Sequence, residues 1–259
     1  MERDTTARER LVFDVGMYDG ADSAYYLERG FRVVAVEANA YMVRRAEARF
    51  PDAITSGRLV IESVAIAGEP GVRALTLNRA NPGGSSLFSQ RLAKDEAEGV
   101  LSVPAVTLPT LFEKHGVPHF MKVDIEGADR FCILPLTSDR APRFVSFEMG
   151  DDAEELVTHL RAIGYRRFKV IDQLSFRELD NMECIYDRGA LRLMRLLGYS
   201  DPSLVRRRGR FFARGHSSGP LPELSDGRWS DAAAVLQRWR ADGPELRTRG
   251  WYDLHASLL

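Results

Sequence analysis

The richest chemistry in this 259-residue chain lies at Met121-Lys122-Val123-Asp124-Ile125-Glu126-Gly127. Read as a strand, the segment alternates, so Lys122, Asp124 and Glu126 share one direction while Val123 and Ile125 take the other. A central parallel strand is covered on both faces, where an unpaired lysine or carboxylate is costly. Three charged groups at its carboxyl end therefore need ionic partners or a reaction to serve. Glu148, in Phe147-Glu148-Met149, joins them if its strand is a neighbour. Clustered carboxylates can raise a pKa, orient a lysine or hold a divalent ion. No histidine joins the set at ligand spacing, so no metal is assigned. The plain alternative is a Lys122–Asp124 or Lys122–Glu148 ion pair that merely orders the strand end. His115 and His119 are separated by Gly116 and Pro118 and read as loop histidines.

A second constellation lies near the start, in Asp14-Val-Gly-Met-Tyr-Asp-Gly20. Gly16 and Gly20 permit a tight turn and close approach of backbone to ligand. The helix that follows offers unpaired N–H groups. Tyr18 stands where the dinucleotide fingerprint would have its second glycine, so a pyrophosphate lacks its usual cradle. The pattern suits a ligand without phosphate. Glu37 ends the next apolar run about 20 residues on, where an acid meets a ribose diol in doubly wound folds. A carboxylate accepts from both vicinal hydroxyls. Ala38 and Asn39 follow it, and Ser63 to Ala65 are expected to close over an adenine.

These residues need elements to position them. Strands are expected over 11–15, 31–36, 59–66, 72–77, 103–106, 120–125, 144–149 and 167–171, from short apolar runs bounded by turn residues. Helices are expected over 21–29, 41–50, 108–114, 128–134 and 153–163, with Pro51 closing the second. Strand and helix alternate, which implies βαβ units and an α/β fold with a doubly wound, mostly parallel sheet. Such a sheet binds ligands beyond its strands' carboxyl ends, at the switch point. The last third is less regular: an amphipathic helix over 189–197, a basic cluster with a short strand at 206–215, a Ser/Gly/Pro-rich loop at 216–227, and a helix capped by Ser230 or Asp231 running to about 241. The expectation is a frayed segment at 1–10 and one domain over 11–259, with a core at 11–171 and a C-terminal elaboration at 172–259.

Composition narrows the function classes. Apolar residues make up 44%, charged residues 28%, and the net charge is -1, which fits an ordinary globular chain. That balance leaves no whole-chain footprint for nucleic acid or acidic membranes. Two cysteines, Cys132 and Cys184, do not make a disulfide scaffold. The opening MERDTTARER holds no apolar run, so a cytoplasmic location is expected.

Taken together, the motifs resemble the FkbM family of S-adenosylmethionine-dependent methyltransferases. DVGMYDG is similar to its cofactor loop, VVAVEAN to its ribose-binding strand end, and VTLPTLFEKHGVPHFMKVDIEGAD to its central signature; VSFEM and LRAIGYRRFKVI continue the match. The resemblance covers about 11–171 well and the tail more loosely. It implies the Rossmann-like class I methyltransferase fold and S-adenosylmethionine as cofactor, held by Asp14, Gly16, Tyr18, Gly20, Glu37, Ala38, Asn39, Ser63 and Ser86. Tyr18 and Asp19 depart from the family's usual cofactor loop. The reaction centre is expected at Lys122, Asp124, Glu126 and Glu148. The implied reaction is O-methylation of a hydroxyl on a small molecule, sugar or secondary metabolite. Lys122, desolvated and held by an acid, is the expected base, with Asp124 competing for that role. In the tail, GHSSG at 215–219 reads either as an acceptor lid with His216 as proton carrier or as a plain surface loop, and Arg206 to Arg208 read first as a solvated charge run and second as a site for an anionic group on the acceptor. A small-molecule acceptor is the expected partner, with no nucleic acid and no membrane; a homo-oligomer is compatible with the sequence. Two rivals stand beside this reading: a non-catalytic binding subunit on the same fold, and an NAD-linked oxidoreductase.

Overall fold

The computed structural model describes residues 10–79, 82–91, 97–179, 189, 193, 196, 204–225, 227–247 and 251–259. Cys184, residues 1–9 of the segment expected to be frayed and most of the helix expected over 189–197 lie outside them. The chain divides into two compact units, Met1–Arg143 and Phe144–Leu259.

In the first unit, β1 (Leu11–Val15), β2 (Arg32–Val36), β3 (Leu59–Glu62) and β7 (Phe120–Val123) form a parallel sheet in the order β7-β1-β2-β3. Every residue of β1 and β7 is buried, and each strand is apolar but for one charged residue, Asp14 and Lys122. Helices α1 (Ala21–Glu28), α2 (Ala40–Arg49) and α3 (Pro51–Thr55) connect the first three strands. This is the expected α/β class with a mostly parallel sheet. The strand order reverses at β1: β2 and β3 extend to one side and β7 returns on the other. The switch point therefore lies between the carboxyl ends of β1 and β7.

Several boundaries differ from expectation. The strand expected over 59–66 is two elements: β3 stops at Glu62, and β4 (Ala65–Ile66) joins a second sheet in the order β4-β6-β5. There β5 (Gly71–Asn78) and β6 (Ala97–Val106) run antiparallel. β6 starts at Ala97, six residues before the expected start; this first half is largely exposed, and Val100 and Leu101 stand next to each other rather than in an alternating apolar pattern. Pro51 closes α2 and also opens α3, at the one helical position where its missing N–H costs nothing. β7 ends at Val123, two residues early, before α5 (Arg130–Ile133).

The second unit holds β8 (Phe144–Glu148), α6 (Ala153–Ala162), β9 (Arg167–Asp172) and β10 (Arg177–Glu178). It continues with a hairpin of β11 (Leu204–Arg207) and β12 (Arg210–Ala213), then α7 (Ala232–Arg247) and β13 (Tyr252–Ser257). β13 runs antiparallel between β8 and β9 and was not expected. All six of its residues are buried, but Asp253, His255 and Ser257 interrupt the apolar pattern that would have marked it. Asp231 caps α7 as foreseen, its Oδ1 accepting from Ala234 N–H at 2.8 Å.

The 218–230 segment is fastened to this sheet. Buried Lys169 donates to the carbonyls of Pro222 and Ser225, each at 3.0 Å, and sits 4.2 Å from the Trp229 ring centroid. Phe168 and Ser230 exchange backbone hydrogen bonds at 2.8 Å. Within the 215–219 loop Ser218 and Gly219 are buried, while Gly215 and His216 are exposed. Among the described residues, no helix is long and apolar enough to cross a membrane.

Candidate functional site

The carboxyl ends of β1, β2 and β7 gather most of the sequence candidates around one ammonium group. Lys122 is 4% exposed. Its Nζ donates to the Gly16 carbonyl at 2.6 Å and lies 3.3 Å from Asp14 Oδ1, 3.7 Å from Asp124 Oδ2 and 3.9 Å from Asp22 Oδ2. Burial alone would push the lysine pKa down, but Asp14, then Asp124 and Asp22, outweigh it and hold the pKa above its ordinary value. A lysine so placed keeps its proton and has no lone pair to receive another. Asp14 is itself fully buried, and Ser23 Oγ donates to its Oδ2 at 2.6 Å.

The glycine loop closes over this ammonium. Gly16 adopts φ +80°, and a Cβ there would stand 1.8 Å from the Asp124 carbonyl oxygen. Its N–H and that of Met17 both donate to Val36 O, at 2.9 and 3.1 Å, which ties the loop to the end of β2. Gly20 (φ +78°) packs against Phe50, whose Cε2 would lie 2.6 Å from an added Cβ. The small size of Gly16 is thus needed by the β7 turn, and that of Gly20 by the α2–α3 junction. Tyr18 takes the left-handed region (φ +52°), as does Glu126 (φ +51°) in the opposite turn. Such backbone costs of order 1 kcal/mol or more per residue and collects at functional sites.

Glu37 spans the loop and the next helix. Its Oε2 accepts from Tyr18 N–H at 2.9 Å, and its Oε1 from Asn39 N–H at 2.8 Å. Burial raises its pKa, against the pull of these two N–H groups and of Lys122. Each oxygen keeps a second acceptor direction. Asn39 is committed to the backbone: its Oδ1 accepts from Tyr41 N–H at 3.0 Å, capping α2. Ala38 packs on the cluster of Ala65, Ala67, Leu75, Val103 and Ala105. Ser63 is exposed at the break between β3 and β4.

Beyond β7 the expected alternation stops. Asp124 follows Val123 out of the strand with its side chain 48% exposed. Ser86, by contrast, is buried and donates through Oγ to the Glu126 carbonyl at 2.8 Å. Its backbone bridges Thr76, so β5 and the turn after β7 are joined through one serine. Ser85 Oγ accepts from Asn78 N–H at 3.2 Å and serves its own loop. The constellation is drawn from the first unit alone. Glu148 closes β8 of the second unit, opposite Asp253 of β13.

Two acids escaped the sequence reading. Asp22 sits in the first turn of α1, where an acid ordinarily reads as a partner of the helix dipole. Asp129 is buried, accepts from Gly127 N–H at 3.1 Å through Oδ2, and is pushed up to about 6, first by burial and then by Asp124. Its Oδ1 has no hydrogen-bond partner among the described residues. The spacing Asp124-x-Glu126-Gly127-x-Asp129 was its only signal. His115, expected in a loop, ends α4 (Leu108–His115) and binds Glu62 at 2.6 Å, while Lys114 binds the same oxygen at 2.8 Å.

The family model described as the methyltransferase FkbM domain matches residues 14–167. Among solved structures, a methyltransferase FkbM from Methylobacillus flagellatus KT aligns with 15% identity and a TM-score of 0.41, over 62% of this chain and 39% of that one. The chain thus spans well under half of that protein's length. A search of curated proteins found no match.

Proposed function

Because the chain belongs to the FkbM methyltransferase domain family, we propose that it transfers a methyl group from S-adenosylmethionine to a hydroxyl of a small molecule, a sugar or a secondary metabolite. The observation that carries this reading is Glu37. Its two oxygens are pinned by Tyr18 and Asn39 N–H groups, next to the glycine loop and beside the switch point. A buried carboxylate with raised pKa and acceptor directions to spare fits a ribose diol, since two hydroxyl donors would stabilise its charged form. When bound, S-adenosylmethionine supplies a methyl group on a positively charged sulfur.

The residues of the chain divide the remaining work. Lys122 stays an ammonium and fixes the Gly16 carbonyl, Asp14 and Asp124 relative to one another. Asp124, half-exposed and oriented by Lys122, is positioned to take the proton of an incoming hydroxyl. Ser86 and Asp129 hold the turn that carries Glu126 and Gly127. Alignment of acceptor and donor can supply much of the rate enhancement, so this rigidity matters as much as the base.

Calorimetric titration tests the reading. S-adenosylmethionine and S-adenosylhomocysteine should bind, NAD should not, and Glu37→Ala should weaken cofactor binding about tenfold or more, as for loss of hydrogen bonds to a charged group. Asp124→Asn should keep cofactor affinity while losing turnover on hydroxylated acceptors. Preference for NAD would favour the oxidoreductase. Tight cofactor binding with no turnover across a broad acceptor panel would favour a binding subunit.

A further inference from the structure

The near-neutral charge of the whole chain conceals a local imbalance. Residues 188–214 contain eight arginines, one aspartate and no lysine or glutamate, a net +7 in a chain whose total is -1; the rest therefore carries -8. The expectation of no membrane partner rested on the total, and the total is not what a surface meets.

The structure shows how part of this stretch is presented. β11 and β12 form a hairpin that pairs with no other sheet among the described residues. Its turn is Arg208-Gly209, both left-handed (φ +48° and +82°), as the tightest hairpin turn requires. Register divides the hairpin into two faces. Val205 and Phe212 lie opposite each other and are buried. Leu204, Arg206, Phe211 and Ala213 occupy the other face, with Arg206 directly opposite Phe211. Phe211 is 61% exposed and Leu204 54%. Arg206 and the turn residue Arg208 are exposed, though Arg208 also donates through Nε to Leu224 O at 3.1 Å. Leu193 and Leu196, both helical and three residues apart, are exposed as well, at 57% and 77%.

We propose that this hairpin docks the protein on an anionic lipid bilayer, with Leu204 and Phe211 entering the interface and Arg206 and Arg208 meeting the headgroups. Charge complementarity selects an anionic surface. Aliphatic side chains interleaved with arginine select lipid over nucleic acid, because leucine has no partner on a phosphate backbone and finds one among acyl chains. Long arginine side chains can lay their stems along apolar surface while keeping the guanidinium at the headgroups. The attachment is peripheral and independent of which acceptor the first unit serves.

Vesicle co-sedimentation of the full chain tests this. The protein should pellet with vesicles of phosphatidylglycerol mixed with phosphatidylcholine, not with phosphatidylcholine alone, and binding should fall as salt rises. Arg206→Glu should weaken binding about tenfold, and so should Leu204→Ser combined with Phe211→Ser. These side chains are exposed, so thermal melts should be unchanged; Arg206→Gln, which introduces no new charge, should give a smaller loss in the same direction. Failure to pellet with anionic vesicles would overturn the proposal. So would variants that bind like the parent, or retention on duplex DNA without retention on vesicles. None of these results bears on cofactor binding, so failure here leaves the methyltransferase reading intact.

Discussion

Replacing Lys122 with methionine removes one charge from a site where three carboxylates lie within 4 Å of one ammonium, while nearly preserving volume. In the parent, Nζ lies 3.3 Å from Asp14 and 3.9 Å from Asp22, both carboxylates buried, and 3.7 Å from half-exposed Asp124. At an effective dielectric of about 20, a unit pair at 3.3 Å attracts by about 5 kcal/mol, against which the cost of burying the ammonium must be set. Removing one partner of a buried pair typically costs about 3–5 kcal/mol, because the remaining charge is stranded. Lys122→Met should therefore lose about that much, read from urea denaturation at pH 7 with an unchanged slope. The pH dependence follows from sign. The lysine pKa is raised in the folded state, so its contribution is complete below the ordinary lysine value and constant between pH 5 and 9. Adding Asp14→Asn should recover part of the loss, with a coupling of about 1 kcal/mol or more. A loss below about 1 kcal/mol, or additive single and double variants, would refute the claim that this ammonium neutralises the buried acids.

Gly16→Ala would meet both a left-handed φ and the Asp124 carbonyl at 1.8 Å, so it should cost about 2 kcal/mol or more and weaken cofactor binding; a silent substitution would mean the loop relaxes freely. Asp129→Asn should have the opposite effect on stability. Burial lifts the Asp129 carboxyl to about 6, so the folded state favours the protonated form, and its stabilisation is complete below the unfolded value near 4 and lost as pH rises through 6. The asparagine variant should therefore gain at most about 3 kcal/mol at pH 8 and nothing at pH 4, read as a pH-dependent difference in Tm. Lys169→Met removes the two hydrogen bonds that hold the carbonyls of Pro222 and Ser225 and should speed amide exchange and proteolysis across 218–230; unchanged protection there would show that packing of Leu221 alone secures the segment.

The order of strands and helices in the first unit could be read before any coordinates. β1 and β2 are covered on both faces, and such strands are predominantly apolar, so LVFDV and VVAV announce themselves. The same logic exposed Lys122 and Asp124 as groups needing partners, and the position of Glu37 followed from the spacing of this fold. Local signals served the caps, where Asn39 and Asp231 act on backbone N–H groups two and three residues away. What tertiary structure decided is who meets whom. Sequence spacing could not reveal that Asp22 and Asp14 join Lys122, because the three lie in separate elements brought together only by the β7-β1 pairing and the α1 packing. That meeting surrounds the Lys122 ammonium with three acids. β13 stayed hidden because its buried Asp253 and His255 find their surroundings across two other strands, and a strand that is polar in sequence and buried in space has no periodic signature. A residue's type and its neighbours along the chain set its local conformation and its need for a partner; its charge state and its role depend on groups that only folding brings within a few ångströms.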